Sequence, residues 1–232
     1  MVDFFPITPF QKTMLIGKGI VKSYGNLRVL KGIDIHIKKG EIVSIMGASG
    51  AGKSTLLHIL GTLDSPDTGE IIINQKNIEK VRNNELAKFR NRHIGFIFQF
   101  HNLLPEFTTF ENICIPGYIG NLEDKQVHKK AQELMKLLGI SERQDHKPSQ
   151  LSGGEQQRAA VARALINSPD IIFGDEPSGN LDSKNAEELH QLFLRLRNEL
   201  GQTFAIVTHN SQLAQIADRI LVIRDGKILN EG

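Results

Sequence analysis

The stretch Gly47-Ala48-Ser49-Gly50-Ala51-Gly52-Lys53-Ser54 leaves this chain fewer folds than any other part of it. A glycine-spaced loop ending in Lys-Ser turns its backbone N–H groups inward around an oxyanion. The helix that opens behind it adds partial positive charge. Such a loop needs a strand before it and a helix after it. Glu41-Ile42-Val43-Ser44-Ile45-Met46 reads as a short apolar strand, and Thr55-Leu56-Leu57-His58-Ile59-Leu60 continues as a helix. In that frame Gly47, Ala48, Ser49, Gly50, Ala51 and Gly52 cradle phosphates, and Lys53 reaches the β- and γ-phosphates of a nucleotide. Ser54 holds Mg²⁺, and Thr55 belongs to the same nucleotide shell.

A phosphate loop implies an α/β fold, and the remaining pattern agrees. Ile33-Asp34-Ile35-His36-Ile37 alternates as a half-buried strand does, and Glu70–Ile73 is another short strand. Gly95–Phe98, Ile171–Phe173 and Phe204–Val207 are short apolar runs without clean alternation, as expected of strands covered on both faces. Residues 123–138 place Val127, Ala131, Leu134 and Leu138 on one helix face, ended by Gly139. Residues 183–200 do the same with Leu189, Phe193, Leu196 and Leu200, capped by Asp182 or Ser183 and stopped by Gly201. Asp225-Gly226 predicts a two-residue hairpin near the end. The expectation is a mostly parallel core sheet, antiparallel β structure contributed from near both ends, and a helical part over about 100–165. Residues 1–13 read as an irregular extension, with Met14 an alternative start and 14–232 the functional domain.

Polar groups follow the core strands. Ile171-Ile172-Phe173-Gly174 runs into Asp175-Glu176, and carboxylates at the C-terminal end of a parallel strand face the ligand crevice. Asp175 is expected to support Mg²⁺ and Glu176 to polarise the attacking water. Gly174 is expected to make room on the nucleotide side. Gln99 follows the strand Gly95–Phe98 and His209 follows Phe204–Val207. Gln99 is a candidate sensor of the γ-phosphate and Mg²⁺, and His209 a candidate γ-phosphate contact.

Leu151-Ser152-Gly153-Gly154-Glu155-Gln156-Gln157-Arg158 is a second anion site without a lysine. Ser152, Gly153 and Gly154 open a helix whose N-terminus can bind an anion, yet they cannot hold a nucleotide alone. Two chains placed head to tail with twofold symmetry would complete each other's sites. Nucleotide would then hold the pair together and hydrolysis would loosen it. Here the chain resembles the ATP-binding cassette (ABC) ATPases. Leu151–Arg158 is similar to their signature motif, Gly47–Ser54 to Walker A, Ile171–Glu176 to Walker B, Gln99 to the Q-loop, Ser178–Asp182 to the D-loop and His209 to the switch histidine. The resemblance spans roughly 14–230 and implies ATP and Mg²⁺ as ligands, ATP hydrolysis, a homodimer, and Tyr24 as the aromatic stacked on adenine. It also implies integral membrane permease subunits that contact Phe100–Ile119. Gln99–Asn112, Leu60–Gly69 and Asp175–Asp182 look like the lipoprotein-releasing (Lol-type) branch, though the last is shared with macrolide-exporter and cell-division ATPases, and Ser178 stands where threonine is expected.

Composition closes several other routes. Net charge is +2, which gives no support for nucleic-acid binding, and the basic run from Lys80 to His93 is interrupted by Glu85 and reads as a solvated helix face. The one cysteine, Cys114, allows no internal disulfide and suits a reducing compartment. No apolar run approaches the ~18 residues that cross a bilayer, and Asp3, Pro6 and Pro9 make the first residues unlike a secretory signal. With these routes closed, the resemblance implies a peripheral ATPase on the cytoplasmic face of a bacterial inner membrane, powering lipoprotein release. An exporter or cell-division ATPase remains open, and so does a soluble ATP-driven clamp.

Overall fold

A computed structural model describes residues 13–231. The irregular extension expected over residues 1–13 lies outside the described residues except for Thr13, which begins the first strand.

Two sheets carry the architecture. Strands β1 (Thr13–Tyr24), β2 (Leu27–Lys38), β4 (Thr68–Ile73) and β5 (Lys76–Asn77) form an antiparallel sheet in the order β2-β1-β4-β5. Strands β3 (Ile42–Met46), β6 (Ile94–Phe98), β7 (Ile171–Asp175), β8 (Thr203–Val207), β9 (Arg219–Arg224) and β10 (Lys227–Glu231) form the second, in the order β10-β9-β3-β8-β7-β6. Its pairs are parallel except the terminal hairpin β9–β10. Asp225 and Gly226 both adopt positive φ (48° and 77°), as the tight hairpin turn requires. The Gly226 carbonyl accepts from Lys31 N (2.9 Å), which ties the end of the chain to β2.

The missing alternation in the core strands has a direct cause. In β7, Ile171 and Phe173 enter one core while Ile172 enters the other, and in β8 Ala205 and Val207 oppose Phe204 and Ile206. Both faces are apolar because both are covered. On one face lie helix α1 (Lys53–Leu60) and the antiparallel sheet. On the other lie α3 (Thr109–Ile119), α4 (Asp124–Leu137), α5 (Gly153–Leu165) and α6 (Ser183–Leu200). Each fully buried Ile, Leu or Phe contributes about 1.5–3 kcal/mol to holding these layers. Helix α2 (Asn83–His93) fully buries only Phe89; Lys88 and Arg92 are exposed, whereas Arg90 donates to the Thr62 carbonyl (2.7 Å) and His93 meets Asp170 (2.7 Å), and α7 (Ser211–Gln215) is a single short turn.

Two expectations are corrected. Leu200 does not share the buried face of α6 but is 56% exposed, because it sits in the last turn, beyond the area the sheet covers. Gly174 does not make room for a nucleotide. A side chain there would meet Ile206 and Pro177 in ordinary contact, within the helix-covered core. The other caps stand: Asp182 accepts from Asn185 N (2.9 Å) and Gly201 ends α6 at φ 64°. Among the described residues, no helix is long and apolar enough to cross a membrane.

Candidate active site

Parallel strands present their C-terminal ends on one edge of a sheet, and here the order β3-β8-β7-β6 decides what becomes neighbours. The phosphate loop leaves β3, Thr208-His209 leaves β8, Asp175-Glu176 closes β7 and Gln99 follows β6. The pairings Ile45↔Val207, Asp175↔Val207 and Phe98↔Asp175 keep these exits level.

The loop backbone is fixed at its glycines. Gly47 and Gly52 take φ of 154° and 101°, and a side chain at Gly47 would collide with the Ile223 carbonyl. Lys53 Nζ folds back onto the carbonyls of Gly47 (2.9 Å) and Ala48 (3.0 Å), so its charge lies across the loop mouth. Ser54 Oγ donates to Asp175 Oδ1 (3.0 Å). Burial pushes the Asp175 carboxyl above the ordinary carboxylate range, while the Ser54 hydroxyl and His58 pull it the other way.

These donors fit a hard divalent cation. Ser54 Oγ and the Asp175 carboxylate are adjacent oxygens, and the charge that burial penalises is what a cation would relieve. Among the described residues no group of three or more His, Cys, Asp or Glu converges as in a self-sufficient metal site. That is the expected situation for Mg²⁺, which takes much of its shell from phosphate and water. Gln99, expected beside them, is placed otherwise: its Nε2 donates to Asn180 Oδ1 (2.9 Å) and Asn180 Nδ2 returns to its carbonyl (3.2 Å).

Glu176 and His209 meet, with Glu176 Oε2 2.9 Å from His209 Nδ1 and 3.3 Å from His209 N. Glu176 has φ 48°, a left-handed conformation costly for a residue with a side chain. Its own N–H donates to the Val207 carbonyl (2.9 Å), which fixes that geometry. The His209 side chain is 72% exposed and free to turn toward a ligand.

Ser152, Gly153 and Gly154 open α5 as expected. Ser152 Oγ accepts from Glu155 N (3.3 Å) and Ser152 N donates to Glu155 Oε2 (2.8 Å), completing a capping box, and Ser152 Oγ also donates to Oε2 (2.9 Å). Arg143 Nε donates to Glu155 Oε1 (2.7 Å), and together with Ser152 holds the Glu155 carboxyl at about 2. Among the described residues, no hydrogen bond or ion pair joins Ser152–Gly154 to Gly47–Thr55. Tyr24, at the end of β1, is 51% exposed while its hydroxyl donates to Asp64 Oδ2 (2.6 Å).

Several participants were not legible in sequence. His58 Nε2 lies 3.6 Å from Asp175 Oδ2; its spacing of one helical turn from Ser54 was the available signal. Asn180 as partner of Gln99, and Asp64 as partner of Tyr24, are long-range contacts with no local signature. In the region read as a permease contact, Phe100 (73%), Ile119 (66%), Leu104 (43%), Phe107 (41%) and Tyr118 (39%) are exposed, whereas Ile113 and Cys114 are core.

Residues 30–179 match the ABC transporter family. The chain is 59% identical to the lipoprotein-releasing system ATP-binding protein LolD of Bacteroides fragilis, over 91% of this chain and 98% of the relative. It is 60% identical to the protein of the same name from Cytophaga hutchinsonii, over 90% and 96% of the two chains. Among solved structures it is similar to a dimeric ATP-binding cassette in a post-hydrolysis state bound to ADP and Pi, with a TM-score of 0.86 and 41% identity, covering 94% of this chain and 98% of the other.

Proposed function

The chain belongs to the ABC transporter family, and on that premise we propose that it is the ATP-hydrolysing subunit that powers release of lipoproteins from the bacterial inner membrane. It works as a peripheral protein on the cytoplasmic face of that membrane. The observation that carries the ATPase reading is the single sheet edge where Lys53, Ser54, Asp175, Glu176 and His209 converge. The similarity to the LolD proteins supports the cargo class.

In this mechanism Tyr24 stacks the adenine, with Thr55 in the same shell. The backbone of Gly47–Gly52 and Lys53 Nζ hold the phosphates, Lys53 exchanging the loop carbonyls for phosphate oxygens. Ser54 and Asp175 would hold Mg²⁺, which would supply charge compensation for phosphoryl transfer. Gln99 joins them by leaving Asn180. Glu176 orients and polarises water in line with the γ-phosphate. His209 swings from Glu176 to the γ-phosphate, which leaves that carboxylate free to accept a proton. Ser152, Gly153 and Gly154 of a second copy, packed head to tail, close over the same phosphate. The exposed side chains between Phe100 and Ile119 receive the membrane-embedded permease subunits.

The test is to capture this chain with its partners from detergent-solubilised membranes of its own cell. Two related integral proteins with large extracytoplasmic domains, together with trapped lipoprotein, are expected. A single such partner without lipoprotein would move the chain to the exporter or cell-division class. No membrane partner would overturn the transport role and leave the ATPase standing.

A further inference from the structure

Lys22 and Asp64, which the hydrolysis mechanism does not use, cluster around Tyr24, which it uses only through its ring. Asp64 stands in the loop after α1, and two backbone N–H groups of that loop, Leu63 (2.8 Å) and Asp64 (3.3 Å), return to the His58 carbonyl. The same loop is stitched to the end of β1: Asp67 N donates to the Val21 carbonyl (2.8 Å), and Ser23 N donates to Asp67 Oδ2 (2.6 Å). Asp64 then uses both carboxylate oxygens. Oδ2 accepts from the Tyr24 hydroxyl (2.6 Å), and Oδ1 accepts from Lys22 Nζ (2.8 Å) and its neighbour Ser65 N (2.7 Å). Lys22 Nζ also donates to the Ser65 carbonyl (2.6 Å) and sits over the Tyr24 ring, 5.2 Å from its centre. The Lys22 side chain is only 12% exposed, so this ammonium is fixed rather than free.

We propose that Asp64 is a positioning residue for the base platform: by holding the Tyr24 hydroxyl and the Lys22 ammonium together, it sets the Tyr24 ring before nucleotide arrives. This rests on the reading of Tyr24 as the adenine platform. An exposed tyrosine at a strand end is otherwise free to rotate, and stacking a base on it would cost that freedom. Lys22 over one side of the ring leaves the other for the base. The loop that carries Asp64 returns to α1, the helix whose first turn carries Lys53 and Ser54, so the platform and the phosphate loop are referenced to one rigid element. The base-to-phosphate distance is therefore set by the fold before binding. Asp64 touches no reacting atom. It acts through Tyr24.

The experiment compares binding of ATP and of tripolyphosphate, which has no base, to the full chain by titration calorimetry. Thermal melts confirm that each variant is folded. Tyr24→Ala establishes the platform, with ATP weakened and tripolyphosphate unchanged. Given that result, Asp64→Ala and Tyr24→Phe, which delete the same hydrogen bond from its two ends, are each expected to weaken ATP about 3- to 10-fold, the cost of immobilising one side chain. The double variant is expected to be no weaker than the stronger single, and tripolyphosphate to bind all of them equally. Tyr24→Phe removes only an exposed hydroxyl, so it remains informative if Asp64→Ala does not fold. Wild-type ATP affinity in Tyr24→Phe and Asp64→Ala beside a weakened Tyr24→Ala would overturn the proposal and leave the platform intact. Equal loss of ATP and tripolyphosphate in Asp64→Ala would also overturn it, by showing damage to the phosphate loop. Unchanged ATP binding in Tyr24→Ala would remove the platform reading itself, and the proposal with it.

Discussion

Glu176 combines a backbone strain with a mobile partner, and both bear on its proposed role as the base. Its left-handed φ of 48° places the carboxylate beyond the strand end, where its neighbour His209, 2.9 Å away, is largely solvent-exposed. Removing the charge while keeping the shape should separate binding from chemistry. Glu176→Gln is expected to bind ATP as the parent does and to slow steady-state hydrolysis roughly 10²–10⁴-fold, the usual worth of a general base. Near-normal turnover in that variant would take Glu176 out of the role. His209→Ala should leave ATP affinity largely intact, lower turnover, and add little to the loss already present in Glu176→Gln, because residues acting as one unit are not additive. Fully multiplicative losses in the double variant would separate the two groups. At this scale the sequence was informative where a residue follows a strand, since strand direction alone sends Asp175, Glu176, His209 and Gln99 to one edge. It was silent on partners: Asn180 is 81 residues from Gln99 and Asp64 is 40 from Tyr24, and no spacing rule reaches across such separations.

Elements with a strong local signal, whether a helical period or a short apolar run, were readable, and those whose pattern is broken by glycines and register shifts were not. Helix α6 has a cap, an apolar face and a glycine stop in sequence order, and only its last leucine departs from that pattern. Strand β1 carries Gly17 and Gly19 and breaks register against both neighbours, so its residues show no alternation although it pairs with β2 on one side and β4 on the other. Helix α3 contains Pro116 and depends on a capping box between Thr108 and Glu111, which holds its first turn. The first turn of α5 is the more consequential case, because the same residues form the proposed second phosphate site. Glu155 is held at about 2, far below its ordinary value of 4.5, chiefly by Arg143. A carboxyl depressed on folding stabilises the fold above its ordinary value, and that contribution fades as pH falls toward the folded value. Glu155→Gln should therefore be less stable than the parent at pH 7, with the gap closing steadily below about pH 4.5. A gap independent of pH in urea melts from pH 7 to 3 would mean that packing, not charge, holds this turn. Ser152→Ala, which removes the cap alone, is expected to cost about 0.5–2 kcal/mol.

Taken whole, one molecule carries two proposed phosphate sites that no hydrogen bond or ion pair links among the described residues. One is the loop at Gly47–Ser54 and the other the serine-glycine turn at Ser152–Gly154, and on the proposed reading each receives an anion. A closed dimer of twofold symmetry unites such patches by letting each chain supply what the other lacks. That arrangement has a consequence that a single-chain site does not. Take one variant with a dead phosphate loop, Lys53→Ala, and another with an obstructed second patch, Gly154→Asp. Each homodimer carries the same lesion in both sites and is inactive. In the mixed dimer, one site combines both lesions, and the other joins the sound phosphate loop of one chain to the sound serine-glycine turn of its partner. Random pairing makes half the dimers mixed, with one of two sites restored, so an equal mixture should recover about a quarter of parental ATPase activity. If each chain instead closed its own site, every site in the mixture would carry a lesion and mixing would recover nothing. Hydrolysis measured on the two variants alone and combined decides between these outcomes, and sedimentation of the Glu176→Gln variant with ATP and Mg²⁺ should show the dimer that the recovery requires.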